Sequence, residues 1–334
     1  MSVVYKDGIS PTMLKEARKL FNEFQTFQDI DHKCLAFIYM RTLKELFPHC
    51  SELSNYYQIM CRYMNNHSVD LDYISFLRKK RFDDYVNSNY LFFEKNIPYS
   101  ALPQNDYYSF TNIQNYDYLN ILYSFLWSTS HNLYYFFRKI EHDGKILLRA
   151  PNSYEKIFGL EYGDQNGTAI SNSAKREKSY VYVNSMENIA DLACLVHEVG
   201  HAYFFNLVNF DSSKKNNPEE SIKVEIPSRL LEYMFILYLE KIGFYEALDL
   251  KQRFFDFIYY NRVFPELFSR YKYSLGNFVA IFYADKINRE YSLEYFLRAI
   301  HYTNVRDITL GTKMQYDYYL EEQQKSLYNK KNQF

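Results

Sequence analysis

The chain has 334 residues, a net charge of -1 and 47% hydrophobic residues. That length suffices for one large or two ordinary domains, and the absence of a basic surplus gives no footing for nucleic-acid binding. No apolar run approaches the roughly 20 residues of a membrane-spanning helix, and the start Met1-Ser2-Val3-Val4-Tyr5-Lys6 lacks a secretory apolar segment, so a cytoplasmic location away from membranes is expected.

With 9 glycines and 8 prolines, long stretches are free of helix breakers and a mostly α fold is expected. Asn22 to Met64 carries apolar residues at helical spacing. Cys34, Cys50, Cys61 and Cys194 have no CxxC spacing, which predicts reduced thiols rather than a disulfide framework or a cysteine-bound metal. The stretch from Asn96 through Pro98 and Pro103 to Asn112 predicts a boundary, dividing a helical region 1-105 from a domain 106-334 that carries the chemistry. Lys145 to Arg149 and Tyr180 to Val183 are short, β-prone and predicted as strands, forming a small sheet beside the helix that follows. In that helix Ile189, Leu192, Val196, Val199 and Tyr203 recur at three- and four-residue steps, with Ser185 the expected N-cap and Glu187 and Asp191 near the positive end. Asp211 to Pro218 reads as a loop. Val224 to Ile242, Phe254 to Phe268 and Leu275 to Ile287 again have helical spacing.

On the predicted helix lies His197-Glu198-Val199-Gly200-His201, two imidazoles one turn apart with a carboxylate beside them. Both rings share a face and can reach one metal ion about 2.0 to 2.1 Å away, while Glu198 is placed to take a proton from water acidified by that ion. Gly200 costs about 1 kcal/mol in a helix interior, which suggests close approach to its backbone. Cys194, one turn earlier, is expected to pack in the core rather than bind metal. A catalytic zinc needs a third protein ligand. Glu225 is the best candidate, because Pro227 biases Ile226 away from helical geometry and so places Glu225 at a helix entrance. Glu219 and Glu220 are weaker candidates, since they follow the polar loop. Glu232 lies two turns beyond Glu225, where it would either accept the outer N–H of a ligating histidine or pair with Arg229.

The zinc motif, followed by Val224-Glu225-Ile226-Pro227-Ser228 and Glu232, resembles the thimet oligopeptidase and oligoendopeptidase F family of zinc metallopeptidases. Asn184 fits the strand-then-helix entry of oligoendopeptidase F. Arg270-Tyr271-Lys272-Tyr273-Ser274-Leu275-Gly276 is similar to the aromatic and glycine segment with which that family lines its cleft. The likeness spans roughly residues 110 to 300. It implies a zincin-like helical metallopeptidase with a small β-sheet beside the active-site helix, the region 1-105 forming part of the cleft wall. It further implies one zinc per chain held by His197, His201 and Glu225, with Glu198 as general base. The sequence departs from the family at Ala202-Tyr203-Phe204, where another histidine is common, at Arg229, where a neutral residue is usual, and at Asn277. Family members are also far longer.

The expected activity is that of a zinc endopeptidase on short or unstructured peptides, with Glu232 supporting a ligand from behind. A phenol from Tyr271, Tyr273 or Tyr283 would stabilise the oxyanion. The 36 tyrosines fit either nucleotide bias or a tyrosine-lined peptide cleft. The competing expectation is a catalytically weak or inactive relative that binds peptide, or a partner protein, without cutting. Oligomeric state and peptide specificity are not encoded in any of these features.

Overall fold

A computed structural model of the chain describes residues 11–26, 47–69, 71–97, 118–143, 145–147, 167–171, 179–183, 188–210, 217–254 and 267–331, with isolated positions at 9, 33, 36, 37, 40, 41, 43, 44 and 110. The expected boundary falls largely on residues 98–109, outside the described residues, as do Asn184, Ser185 and Glu187 and most of Phe254 to Phe268. Contacts group the chain into two compact units, Met1–Phe82 with Ser109–Pro218, and Asp83–Tyr108 with Glu219–Phe334.

In the first unit, α1 (Pro11–Thr26) and α2 (Ser51–Asn66) bury Ala17, Leu20 and Phe24 against Leu53, Met60 and Met64. The helical spacing of Asn22 to Met64 is therefore shared between elements: α1 ends at Thr26, and a turn at 47–50, containing Pro48, precedes α2. Proline lacks the N–H that would carry a helix onward. Arg18 pairs with Glu52 at 2.6 Å and ties the two helices at their surface.

The helix α3 (Leu71–Asn96) follows, and then α4 (Tyr118–Thr129) and α5 (His131–His142) form a hairpin. Ser130 breaks it, its hydroxyl accepting from Leu133 N at 3.3 Å as the N-cap of α5. Three strands come next: β1 (Ile146–Leu147), β2 (Gly167–Ser171) and β3 (Ser179–Val183), in the order β1-β3-β2. β1 runs parallel to β3 and β2 antiparallel to it, with Ala169 opposite Val181. The expected strand at 145–149 overlaps β1, its residues 148–149 lying outside the described residues, and that at 180–183 overlaps β3, but β2 has no counterpart among the expectations. Its residues Gly167-Thr168-Ala169-Ile170-Ser171 contain a single large apolar side chain, too few to display a period of two.

The sheet packs against α6 (Ile189–Leu207), which is buried over most of its length. Asn188, not Ser185, is its N-cap. The Asn188 side chain accepts from Asp191 N at 3.0 Å while Asn188 N donates to Asp191 Oδ2 at 3.3 Å, a reciprocal pair that satisfies two end N–H groups at once. Ser185 has no such acid three residues on.

In the second unit α7 (Pro218–Lys223) leads almost directly into α8 (Glu225–Lys241), since Val224 between them keeps right-handed helical angles, φ -67° and ψ -18°. Pro227 sits in the first turn of α8, where its missing N–H costs no helical bond. α9 (Leu267–Tyr283) begins earlier than Leu275 and packs along α8. α10 (Leu293–Tyr302), capped by Ser292, and α11 (Val305–Lys331) follow, and the C-terminal half of α3 belongs to this unit as well. Glu219 Oε1 accepts from Val305 N at 2.8 Å, and Lys223 Nζ donates to His301 O at 3.1 Å, so α7 grips the α10–α11 junction. No helix among the described residues is long and apolar enough to cross a membrane.

Candidate metal centre

The buried packing of α6 determines how its polar residues stand. Ile189, Leu192, Val196, Val199 and Tyr203 are all buried, and the four-residue spacing of His197 and His201 puts both on one stripe. Their ring centroids lie 4.9 Å apart at 80°. His201 is 7% exposed and stacks on Phe205 at 5.9 Å, which in turn stacks on Phe210 at 5.2 Å. This aromatic backing restricts the His201 ring. Glu198 is also buried, and its Oε1 lies 4.0 Å from His197 Nε2. The carboxylate therefore points along the same side of the helix as the imidazole before it. Phe205 went unremarked in the sequence, although its position one turn beyond His201 is the signal that finds it.

On α8, Glu225 occupies the first position and is 3% exposed. Its carbonyl accepts from Ser228 Oγ at 2.8 Å, which tightens the turn it begins. Arg229 is buried, donates from Nη1 to Glu232 Oε2 at 2.8 Å, and holds its guanidinium 4.9 Å from the centroid of Tyr273 and 5.9 Å from that of Phe254. Of the two expectations for Glu232, the pairing with Arg229 is observed. Gly276 of α9 faces this turn. A Cβ there would lie 3.0 Å from Arg229 Cγ and 3.2 Å from Glu225 O, so the helices approach closely only because the side chain is absent.

His197, His201 and Glu225 each offer one ligand atom, and these atoms lie within 4.8 Å of one another. Among the described residues no other histidine, cysteine or carboxylate joins this group or forms a second one. Cys194, half-buried, is not part of it. Glu219 is engaged with the backbone N–H of Val305, and Glu220 with Lys223 at 2.7 Å. In a tetrahedral zinc site, ligand atoms about 2.05 Å from the ion stand about 3.3 Å apart, so binding would draw these side chains closer than their present spacing. The donor set of two imidazoles and one carboxylate matches zinc's hydrolytic sites.

Of the three tyrosines, Tyr273 lies against Arg229, beside the Glu225 turn. Tyr283 stands two helical turns beyond Gly276. Its ring packs on Phe296 at 5.0 Å, and burial raises its pKa above the usual phenol value. Tyr271 lies on α9, with its side chain outside the described residues.

No family model and no curated protein matches the sequence. Among solved structures the chain is similar to that of a putative oligoendopeptidase F from Bacillus anthracis, with 14% identity, a TM-score of 0.43, and coverage of 75% of this chain and 56% of that one. The chain thus spans little more than half of that protein's length, at a level of likeness that does not establish a common fold.

Proposed function

We propose that the chain is a zinc-dependent endopeptidase acting on short or unstructured peptides, with His197, His201 and Glu225 as the metal ligands. The observation that carries this reading is the approach of their ligand atoms to within 4.8 Å, with the Glu198 carboxylate 4.0 Å from the first imidazole. A structural metal site has no need of a buried acid beside it; a hydrolytic one does. The motif and the downstream glutamate, which resemble those of the oligoendopeptidase F family, point the same way.

Zinc, when bound, supplies Lewis acidity at the scissile carbonyl and lowers the pKa of attacking water to about 7. Glu198 then takes the water proton on a carboxylate oxygen and delivers it to the leaving amine nitrogen. Burial of Glu198 in α6 keeps bulk water from competing for that proton. Glu232 holds Arg229 through one oxygen and is proposed to accept the outer N–H of a ligating histidine, which fixes its tautomer. A phenol donates to the developing oxyanion. Tyr273 is favoured because it flanks the Glu225 turn, whereas the Tyr283 ring packs on Phe296 two helical turns away. An extended peptide would be aligned by pairing with an edge of the sheet beside α6.

The test is metal analysis combined with turnover of a quenched peptide. The purified chain is expected to hold about one zinc, and Glu225→Ala to lose most of it. Glu198→Gln preserves size and hydrogen-bonding reach, so zinc is expected to stay while kcat falls at least about a hundredfold. Full zinc retention in Glu225→Ala would remove that ligand from the reading. Zinc and peptide binding with no turnover by the unsubstituted chain would identify a binding relative instead of an enzyme.

A further inference from the structure

We infer that Arg229 is a positioning residue that clamps the ring of Tyr273 to the helical turn beginning at Glu225. The clamp is built from four observations within one unit. Arg229 is buried, so its charge must be compensated, and Glu232 supplies the counter-charge at 2.8 Å. That pair fixes the guanidinium along α8 and leaves its flat face to stack. Tyr273 takes the stack at 4.9 Å from α9, with Phe254 at 5.9 Å. Gly276, one turn after Tyr273, makes room for the arginine stem, since a Cβ there would lie 3.0 Å from Arg229 Cγ and 3.3 Å from its Cβ. Arginine suits this place and lysine does not, because a compact ammonium offers neither a planar face for the ring nor a fixed fork for the carboxylate.

The consequence for chemistry rests on the peptidase reading above. A phenol that is to meet an oxyanion must be held within about 0.5 Å of its working position. Arg229 performs this through Tyr273 without touching substrate, and the same side chain lies one turn from the proposed ligand Glu225. Loss of the clamp is therefore expected to reduce kcat rather than substrate binding.

The experiment is a double-mutant cycle in the full-length chain with Arg229→Met, Tyr273→Leu and the combination, read by kcat and KM, zinc content and urea unfolding. Arg229→Met and Tyr273→Leu are each expected to lower kcat about tenfold with KM within about twofold and zinc retained, and the combination to be no worse than either alone. Tyr273→Phe keeps the ring and loses only the hydroxyl, so it is expected to lower kcat while leaving the unfolding midpoint unchanged. Arg229→Lys is expected not to restore kcat. Multiplicative loss in the double variant, or full activity in Arg229→Lys, would overturn the clamp. If Arg229→Met does not fold, Arg229→Lys and Tyr273→Phe decide alone. If the zinc-loaded chain cuts no peptide, the peptidase reading fails separately, and the clamp is judged by unfolding: non-additive midpoint shifts uphold it and additive ones overturn it.

Discussion

At the scale of single residues, the position of Glu225 depends on a side chain that is missing. Gly276 lies in the interior of α9, where alanine would ordinarily gain about 1 kcal/mol in helix propensity. Overpacking opposes this. The added methyl would meet Glu225 O at 3.2 Å and the arginine stem at 3.0 Å, and the carbonyl belongs to a turn already tied by Ser228. Since a backbone atom cannot rotate away, the overpacking cost of about 1 to 3 kcal/mol is expected to win. Gly276→Ala should therefore lower stability by roughly 1 kcal/mol and weaken zinc binding several-fold, as measured by urea unfolding and chelator competition. A stabilised variant with unchanged zinc affinity would show that α8 yields freely. The sequence displays the glycine and the glutamate but not their contact, because nothing in the local pattern of either helix states which residue of its partner it meets.

At the scale of elements, the helix that carries His197 and His201 was legible and its start was not. The apolar spacing of Ile189, Leu192, Val196, Val199 and Tyr203 suffices to identify the helix, and its repeat of 3.6 residues puts His197 and His201 on one side, although burial extends all round it. The start of α8 near Pro227 was legible, but Ile226 is helical and not biased out of the helix as Pro227 predicted, because Pro227 falls in the first turn and α7 leads in through Val224. Caps are harder to read, since serine and asparagine both serve; the reciprocal acid at Asp191 is what distinguishes Asn188 from Ser185. Asn188→Ala removes the side-chain acceptor of the Asp191 N–H and is expected to lower stability by about 1 kcal/mol in urea unfolding with the slope unchanged. Ser185→Ala should have no such effect. Equal losses from the two would mean that the helix is closed from Ser185 after all. Contacts between distant elements, such as Arg229 with Tyr273 or Glu219 with Val305, leave no trace in sequence periodicity, and β2 was missed because small residues carry no alternation.

At the scale of the whole molecule, the proposed peptidase reading carries an expectation about the form of substrate. His201, Glu198 and Glu225 are 7%, 6% and 3% exposed, so under that reading a peptide carbonyl would reach them only on an extended segment. The carbonyls of a stable globular protein are largely held in helices and sheets, and freeing an extended segment requires local unfolding. If that opening costs about 3 kcal/mol, the accessible fraction falls by a factor of about a hundred. One substrate protein offered in two forms therefore discriminates: native, and reduced and alkylated so that it remains unfolded. The unfolded form is expected to be cut with a kcat/KM at least about a hundredfold higher, and nested peptides around one cleavage site to be cut at similar rates whatever their length, because only the segment at the metal must be extended. Comparable cleavage of the native and unfolded forms would mean that the centre opens widely in solution, and a sharp fall beyond a fixed peptide length would mean instead that the cleft closes around the whole substrate.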